Sequence, residues 1–506
     1  MFIAKGVLIE KQLFYLFAKL KSMRANAGIH LIALAAVLVA AGATFSCGQA
    51  IDAEIRLDSQ SNSVEVSGRF LDAGEVRNIA FEREFAGVSG LAERISRMRT
   101  LGASGQEVAS KVFAPGEYAA AETIGAFSYT VRLDAPDRTG QAHISWLKNG
   151  RGVLFLGDIL PLVLGSAATA ATVRIINAKG ISAGGCSSLT EGKYACTDRA
   201  TALFAILPDL RTVKTGDPDL SLLIEGAWNF DDKAAVKEAA ELFETYRSVF
   251  GGAAQGPFDI VIMKFADETP PGRFEADTRG RTIVVISSDA PFNSQSLQRL
   301  SLQLRHELFH FWLPNGVALA GRYDWFYEGA ALYMASRVGL MTNRIRFDDF
   351  VSQLSTAIAF DRTSPKGVSL AMASDSRWQG NATTLYARGM LAAFILDLEL
   401  LKRSKAKHSL EDVLRKLFND HDRRKASKAD AVPAIVEAFS VYDGTGKLAK
   451  ELLDRTEPLD IAAALGNSGF ELADSGRGLK VKDGPGSREK AILNKLGYNN
   501  WRKLSR

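Results

Sequence analysis

The chain has 506 residues, 47% of them hydrophobic and 24% charged, the mix of a folded protein of about three domains at roughly 150 residues each. That composition excludes a disordered chain, a coiled coil and a polytopic membrane protein. Sixty-two basic against 57 acidic residues leave a net charge of +5. Spread over this length, the excess is too dilute for a nucleic-acid-binding stripe, and no nucleic-acid partner is expected.

Residues 27–45 (AGIHLIALAAVLVAAGATF) form the most apolar run. They follow Lys19, Lys21 and Arg24 and end among small residues, the layout of a secretory signal. Gly48-Gln49-Ala50 offers a cleavage site, and Met23 would serve as a start. Residues 1–50 are therefore read as a leader, and the chain as exported to the periplasm or cell envelope. Two alternatives stay open. The run is of marginal length for a retained membrane anchor, and Cys47 is a candidate for lipidation although Thr44-Phe45-Ser46 fits the usual preceding box poorly. Either would tether the protein to a membrane.

Residues 51–205 read as β structure. IDAEIRLD, SVEVSGRF, FSYTVRLD, GVLFLG and TVRIINA are short alternating or β-branched runs separated by turn residues, which predicts a sandwich-like N-terminal domain. Cys186 and Cys196 lie within the turn-rich GGCSSLTEGKYAC. In an oxidising compartment two neighbouring leftover thiols are expected to form a disulfide. From 206 the texture becomes mixed α/β: SLLIEGAW and FDIVIMKF are predicted strands, and an amphipathic helix lies between them. From about 294 to 460 helical spacing dominates. The expected division is 206–360 and 361–473, followed by a polar, basic and loosely attached tail over 474–506.

One predicted helix carries chemistry. QSLQRLSLQLRHELFHFWLP has an apolar stripe through Leu304, Leu308, Phe311 and Trp312 and is stopped by Pro314. Within it lies His306-Glu307-Leu308-Phe309-His310. Histidines at i and i+4 share one helix face, a spacing at which two imidazoles reach one Zn2+. Glu307, one step round, is placed to take a proton from water at that ion. Without further support, two exposed histidines beside a solvated glutamate would read the same way. Catalytic zinc needs a third protein ligand and an open fourth position. Glu328 sits in the apolar, aromatic segment DWFYEGAALY, where a buried carboxylate is costly unless paired or metal-bound. The alternative for Glu328 is a helix-start acid near the backbone dipole. His143, His408 and His421 have no partner spacing and read as surface or structural residues.

HExxH, a gap, then W-x-x-E-G-x-A-x-Y resembles the gluzincin aminopeptidases of the M1 and M61 groups, and the M61 (glycyl aminopeptidase-like) branch more closely. HELFHFW is similar to its His-Glu-aromatic-His-x-Trp block. Leu385-Tyr386-Ala387-Arg388-Gly389 with LAAFILDLELLKRS is similar to its Tyr-x-Lys-Gly helix, and TEPLDIAAALGNSGFEL to the end of its catalytic region. The likeness covers about 51–470, with specific motifs in 306–389. It implies a multidomain α+β protein with a β-sandwich-like domain, a thermolysin-like (gluzincin) catalytic domain and a C-terminal helical region. It implies one Zn2+ per chain on His306, His310 and Glu328, Glu307 as general base and Tyr386 as a donor to the oxyanion. The substrates would be peptides or proteins.

Three departures from the family pattern stand out. The M1 box Gly-x-Met-Glu-Asn is missing, and Gly272-Arg273-Phe274-Glu275 is its nearest counterpart, with Glu275 a candidate partner for a substrate α-ammonium. Arg388 replaces the family lysine. No clear PDZ domain follows residue 470. The expected activity is aminopeptidase hydrolysis, against an endopeptidase on the same site, a non-catalytic envelope protein that binds peptides, or zinc-dependent hydrolysis of another substrate.

Overall fold

The computed structural model describes residues 51–500, apart from 72–74, 138, 164–168, 443, 474 and 475; the leader and Cys47 lie outside the described residues. The chain enters through strand Ile51–Asp58, whose alternate residues Ile51, Ala53, Ile55 and Leu57 are buried. It pairs antiparallel with Ser63–Phe70 and parallel with Ala171–Ile176 inside an eight-stranded sheet. A four-stranded sheet built on Arg151–Phe155 and Leu203–Ile206 closes over it. Leu154, Phe204 and Ile206 from that second sheet share a core with Ile55, Val66 and Phe127. This gives the sandwich-like arrangement that alternation implies. Cys186 and Cys196 face each other on neighbouring antiparallel strands and are joined in a disulfide.

A five-stranded sheet follows, in the order Leu210–Lys214, Leu220–Glu225, Phe258–Met263, Thr282–Ser287, Phe274–Arg279. Both faces of its central strands are covered, so they read as continuous apolar runs. Ile260, Ile262, Ile283 and Val285 face the helices. Val261, Met263, Val284 and Ile286 face Trp146, Val153 and Phe155 of the N-terminal region. The join near residue 205 is thus a packed sheet-on-sheet interface rather than a free linker. Strand Phe274–Arg279 escapes a sequence reading because its apolar side is short, Phe274 and Ala276 only, and most of its residues are half-exposed; it forms the sheet edge along the cleft.

One hydrophobic core runs from Leu220 to Leu496, and the division expected at 360 falls inside the helix Phe347–Thr363. The tail also departs from its expected looseness. Gly478–Val481 pairs with Phe470–Ala473. In the helix Ser487–Lys495 and just beyond it, Ile492, Leu493 and Leu496 are fully buried. Three apolar residues at helical spacing are enough to dock an otherwise polar segment. Among the described residues no helix is long and apolar enough to cross a membrane.

Candidate metal centre

The helix Asn293–Glu307 buries Leu300 and Leu304 against the sheet, then tightens into a 3-10 turn over Leu308–Phe311 instead of continuing as an α-helix to Trp312. Such tightening is common at helix C-termini. The turn is held by its apolar residues. The Trp312 ring stacks on Phe250 at 5.5 Å and its indole nitrogen donates to the Gly252 carbonyl at 2.8 Å. That anchoring fixes the direction in which His306 and His310 point.

Their Nε2 atoms are 3.2 Å apart. From the helix Asp324–Met341, Glu328 brings Oε2 to 3.3 Å from His306 Nε2 and 3.7 Å from His310 Nε2. Donors at three corners of a tetrahedron, each about 2.0–2.1 Å from zinc, would lie about 3.3–3.4 Å apart. The observed triangle has the size of one face of that tetrahedron. The chemistry of the donors fits as well. His310 Nδ1 lies 3.1 Å from the Leu313 carbonyl, which can only accept. Nδ1 therefore carries the proton, and the Nε2 lone pair faces the triangle. Glu328 Oε2 is buried with no hydrogen-bond partner among the described residues. Such an oxygen is expensive to keep unless a cation sits beside it. These three residues are the metal-compatible cluster of His, Cys, Asp or Glu among the described residues.

Burial by itself would raise the Glu328 carboxyl, but His310, His306 and the Arg377 guanidinium outweigh it and hold it down at about 2. Burial likewise opposes charge on His306, and the carboxylates of Glu328 and Glu307 reverse this and raise it. The two carboxylates thus favour positive charge at the imidazoles, and Glu328 is held ionised beside them.

Glu307 is buried and stands outside the ligand triangle. Its Oε2 accepts a 2.6 Å hydrogen bond from Thr278 on the edge strand. Tyr386 comes from the helix Ala382–Arg403, and its hydroxyl accepts from Arg377. Burial and the nearby Glu328 push the Tyr386 phenol well up, so it is held as a protonated donor. Glu307, Glu328 and Tyr386 open with the two histidines onto one cleft of about 570 Å³.

Glu275 is placed differently. Its Oε2 accepts from the backbone amides of Gly140 (2.9 Å) and Ala142 (3.3 Å), and it is not among the cleft-lining residues. Two residues on, Asp277 does line the cleft, paired with Arg279 at 2.8 Å and near His143 at 3.6 Å. His143 is thus brought from the N-terminal region to the cleft, where no sequence spacing announces it. Arg388, expected in place of a lysine, is fully buried and paired with Asp361 at 2.5 Å rather than facing the cleft. Thr278 and Arg377 were also invisible as site residues, one lying in an unread strand and the other in an irregular turn.

No protein-family model matches the sequence, and no curated protein matches it. Solved structures do resemble it. An aminopeptidase N family protein from Idiomarina loihiensis superposes with a TM-score of 0.70 at 16% identity, covering 84% of this chain and 79% of that one. A mutant M1 zinc metallopeptidase from Deinococcus radiodurans, bound to the substrate Tyr-Ser-Ala, gives 0.52 at 15% identity, with coverage of 81% and 95%. At these identities what is shared is architecture: the chain has the multidomain α+β fold of M1 zinc metallopeptidases, with a β-rich N-terminal region and a helical C-terminal one.

Proposed function

We propose that this protein is a zinc metallopeptidase of the M61-like gluzincin type that releases residues from peptide N-termini. The observation that carries the reading is the His306–His310–Glu328 triangle, whose edges of 3.2, 3.3 and 3.7 Å match a zinc tetrahedron. The shared architecture with an aminopeptidase N family protein and with an M1 zinc metallopeptidase described with a tripeptide substrate supports it. His306, His310 and Glu328 would hold one ion per chain, which when bound supplies a Lewis acid for the scissile carbonyl and acidity for water.

The chain's own groups supply the rest. Glu307 takes the proton of the attacking water and delivers it to the leaving amine, and Thr278 fixes the carboxylate for both transfers. Tyr386 donates its O–H to the carbonyl oxygen as negative charge gathers there. Asp277 lines the same cleft; Arg279 holds its Oδ2, and Oδ1 is the oxygen that a free α-ammonium would meet. Glu275, on the same strand, has its Oε2 taken up by backbone amides and does not line the cleft. The leader would direct export to the periplasm or cell envelope, with peptides or proteins there as substrates, and Cys47 or the apolar run as a tether if retained.

The test uses the zinc-loaded full chain and a peptide panel with free and N-acetylated termini. Glu307→Gln is expected to keep zinc and lose about 10²- to 10⁴-fold in kcat. Native turnover by that variant would refute the mechanism. Acetylation is expected to abolish cleavage; equal cleavage of blocked peptides would make the enzyme an endopeptidase.

A further inference from the structure

Arg377 lies between two groups of the site that approach from different helices. It sits at the start of a non-helical kink, Arg377–Asn381, where Gly380 takes a positive φ before the chain enters the helix Ala382–Arg403. The side chain is only 12% exposed. Its Nη1 is 2.8 Å from Glu328 Oε1 and 3.4 Å from Asp324 Oδ1. Its Nη2 donates to the Tyr386 hydroxyl, and its Cζ lies 5.0 Å from the centre of that ring.

We propose that Arg377 is a positioning residue that limits Glu328 to one oxygen for the metal and turns the Tyr386 O–H towards the substrate. The assignment rests on the metallopeptidase reading above. A guanidinium has donors and no acceptor, so each contact has a fixed sense. At Glu328 it takes up Oε1 and leaves Oε2, the oxygen without a hydrogen-bond partner, aimed at the two imidazoles. At Tyr386 it occupies a lone pair of the phenol oxygen. The phenol's own hydrogen is then free to point elsewhere. Without the guanidinium, both carboxylate oxygens of Glu328 would be open to the ion, and the Tyr386 hydroxyl would be drawn to the nearest carboxylate. The rigid fork of arginine spans both partners; a lysine ammonium is one point charge and reaches one of them.

The experiment compares wild type, Arg377→Gln and Arg377→Lys as full chains. It reads the visible absorption spectrum of the Co2+-substituted protein, metal affinity by chelator competition, kcat and KM, with circular dichroism as the folding control. Arg377→Gln is expected to weaken metal binding and lower kcat, each by about 10- to 100-fold, with KM moved less than about threefold. Its cobalt bands should weaken as the second oxygen of Glu328 enters the coordination sphere. Arg377→Lys is expected to recover metal affinity but not kcat. A cobalt spectrum and metal affinity unchanged in Arg377→Gln would overturn the proposal. So would recovery of full kcat by lysine. If Arg377→Gln does not fold, the lysine variant decides: wild-type kcat overturns the proposal, and retained cobalt with reduced kcat sustains it. A folded wild type that takes up no cobalt would instead overturn the metal-centre reading, and with it this proposal.

Discussion

Gly329 and Gly389 meet where the helices Asp324–Met341 and Ala382–Arg403 cross: a Cβ on Gly329 would lie 2.4 Å from the Gly389 carbonyl carbon and 2.6 Å from its Cα. Backbone touches backbone there, and no side chain fits between. Glu328 precedes one glycine and Tyr386 lies three residues before the other. The close crossing therefore sets the distance between the third ligand and the phenol.

Gly329→Ala is accordingly expected to force the two helices apart. Overpacking of this kind costs about 1–3 kcal/mol, read as a lower thermal midpoint. Because Glu328 moves with its helix, the variant should also bind zinc more weakly in a chelator competition. A variant of native stability and native affinity would show that the crossing has slack.

Thr278→Val removes the hydroxyl that donates to Glu307 Oε2 at 2.6 Å and nearly preserves shape. A hydrogen bond to a charged group is worth about 1.5–3 kcal/mol, so kcat should fall about ten- to a hundredfold. Zinc content should not change, since Thr278 touches none of the three ligands. Parallel measurement of kcat and bound zinc checks both halves.

Arg388 and Asp361 are 0% and 2% exposed and 2.5 Å apart. The Val368 carbonyl accepts from Arg388 at 2.6 Å, and the Leu459 amide donates to Asp361 at 2.7 Å. Arg388→Met would leave a buried carboxylate without its cation, at a cost of about 3–5 kcal/mol. Chemical denaturation should show that loss. The double variant Arg388→Met with Asp361→Leu should regain much of it, because the stranded charge is then gone.

His143 and Asp277 give the cleft a pH-dependent element. Burial would lower the imidazole, but the Asp277 carboxylate 3.6 Å away, with help from Glu275, outweighs it and raises the His143 pKa, against opposition from Arg279. A raised histidine pKa means the folded state favours the imidazolium. Its stabilisation is fully present below the unfolded value of about 6.5 and is lost as pH rises through the higher folded value. The pair is part-exposed, so about 1 kcal/mol or less is expected. The stability gap between wild type and His143→Gln should be larger at about pH 5.5 than at about pH 9. A gap independent of pH would contradict the pairing.

Much of the site was legible in order along the chain. The i, i+4 histidines and the acid in an apolar helix are local signals, because helical spacing alone decides which side chains share a face. Local spacing could not say that the turn after Glu307 narrows to 3-10, nor that Arg388 faces the interior. Strand Phe274–Arg279 alternates only briefly, with Phe274 and Ala276 set between Glu275 and Asp277, and its side chains along the cleft are mostly part-covered; Thr278 was hidden with it. The tail gave a mainly polar reading, and the burial of Ile492, Leu493 and Leu496 depends on a groove made by distant helices.

The sequence by itself determined the donor types, their helical phase and the β-then-helical order of the chain, because each is set by residues within a turn or two of one another. Only the tertiary structure decided that Glu328 meets His306 and His310, that Arg377 joins Glu328 to Tyr386, and that His143 reaches the cleft. Those meetings depend on how a helix crossing, an irregular turn and a sheet-on-sheet interface bring together groups far apart in the chain, and such long-range packing leaves no periodicity to read.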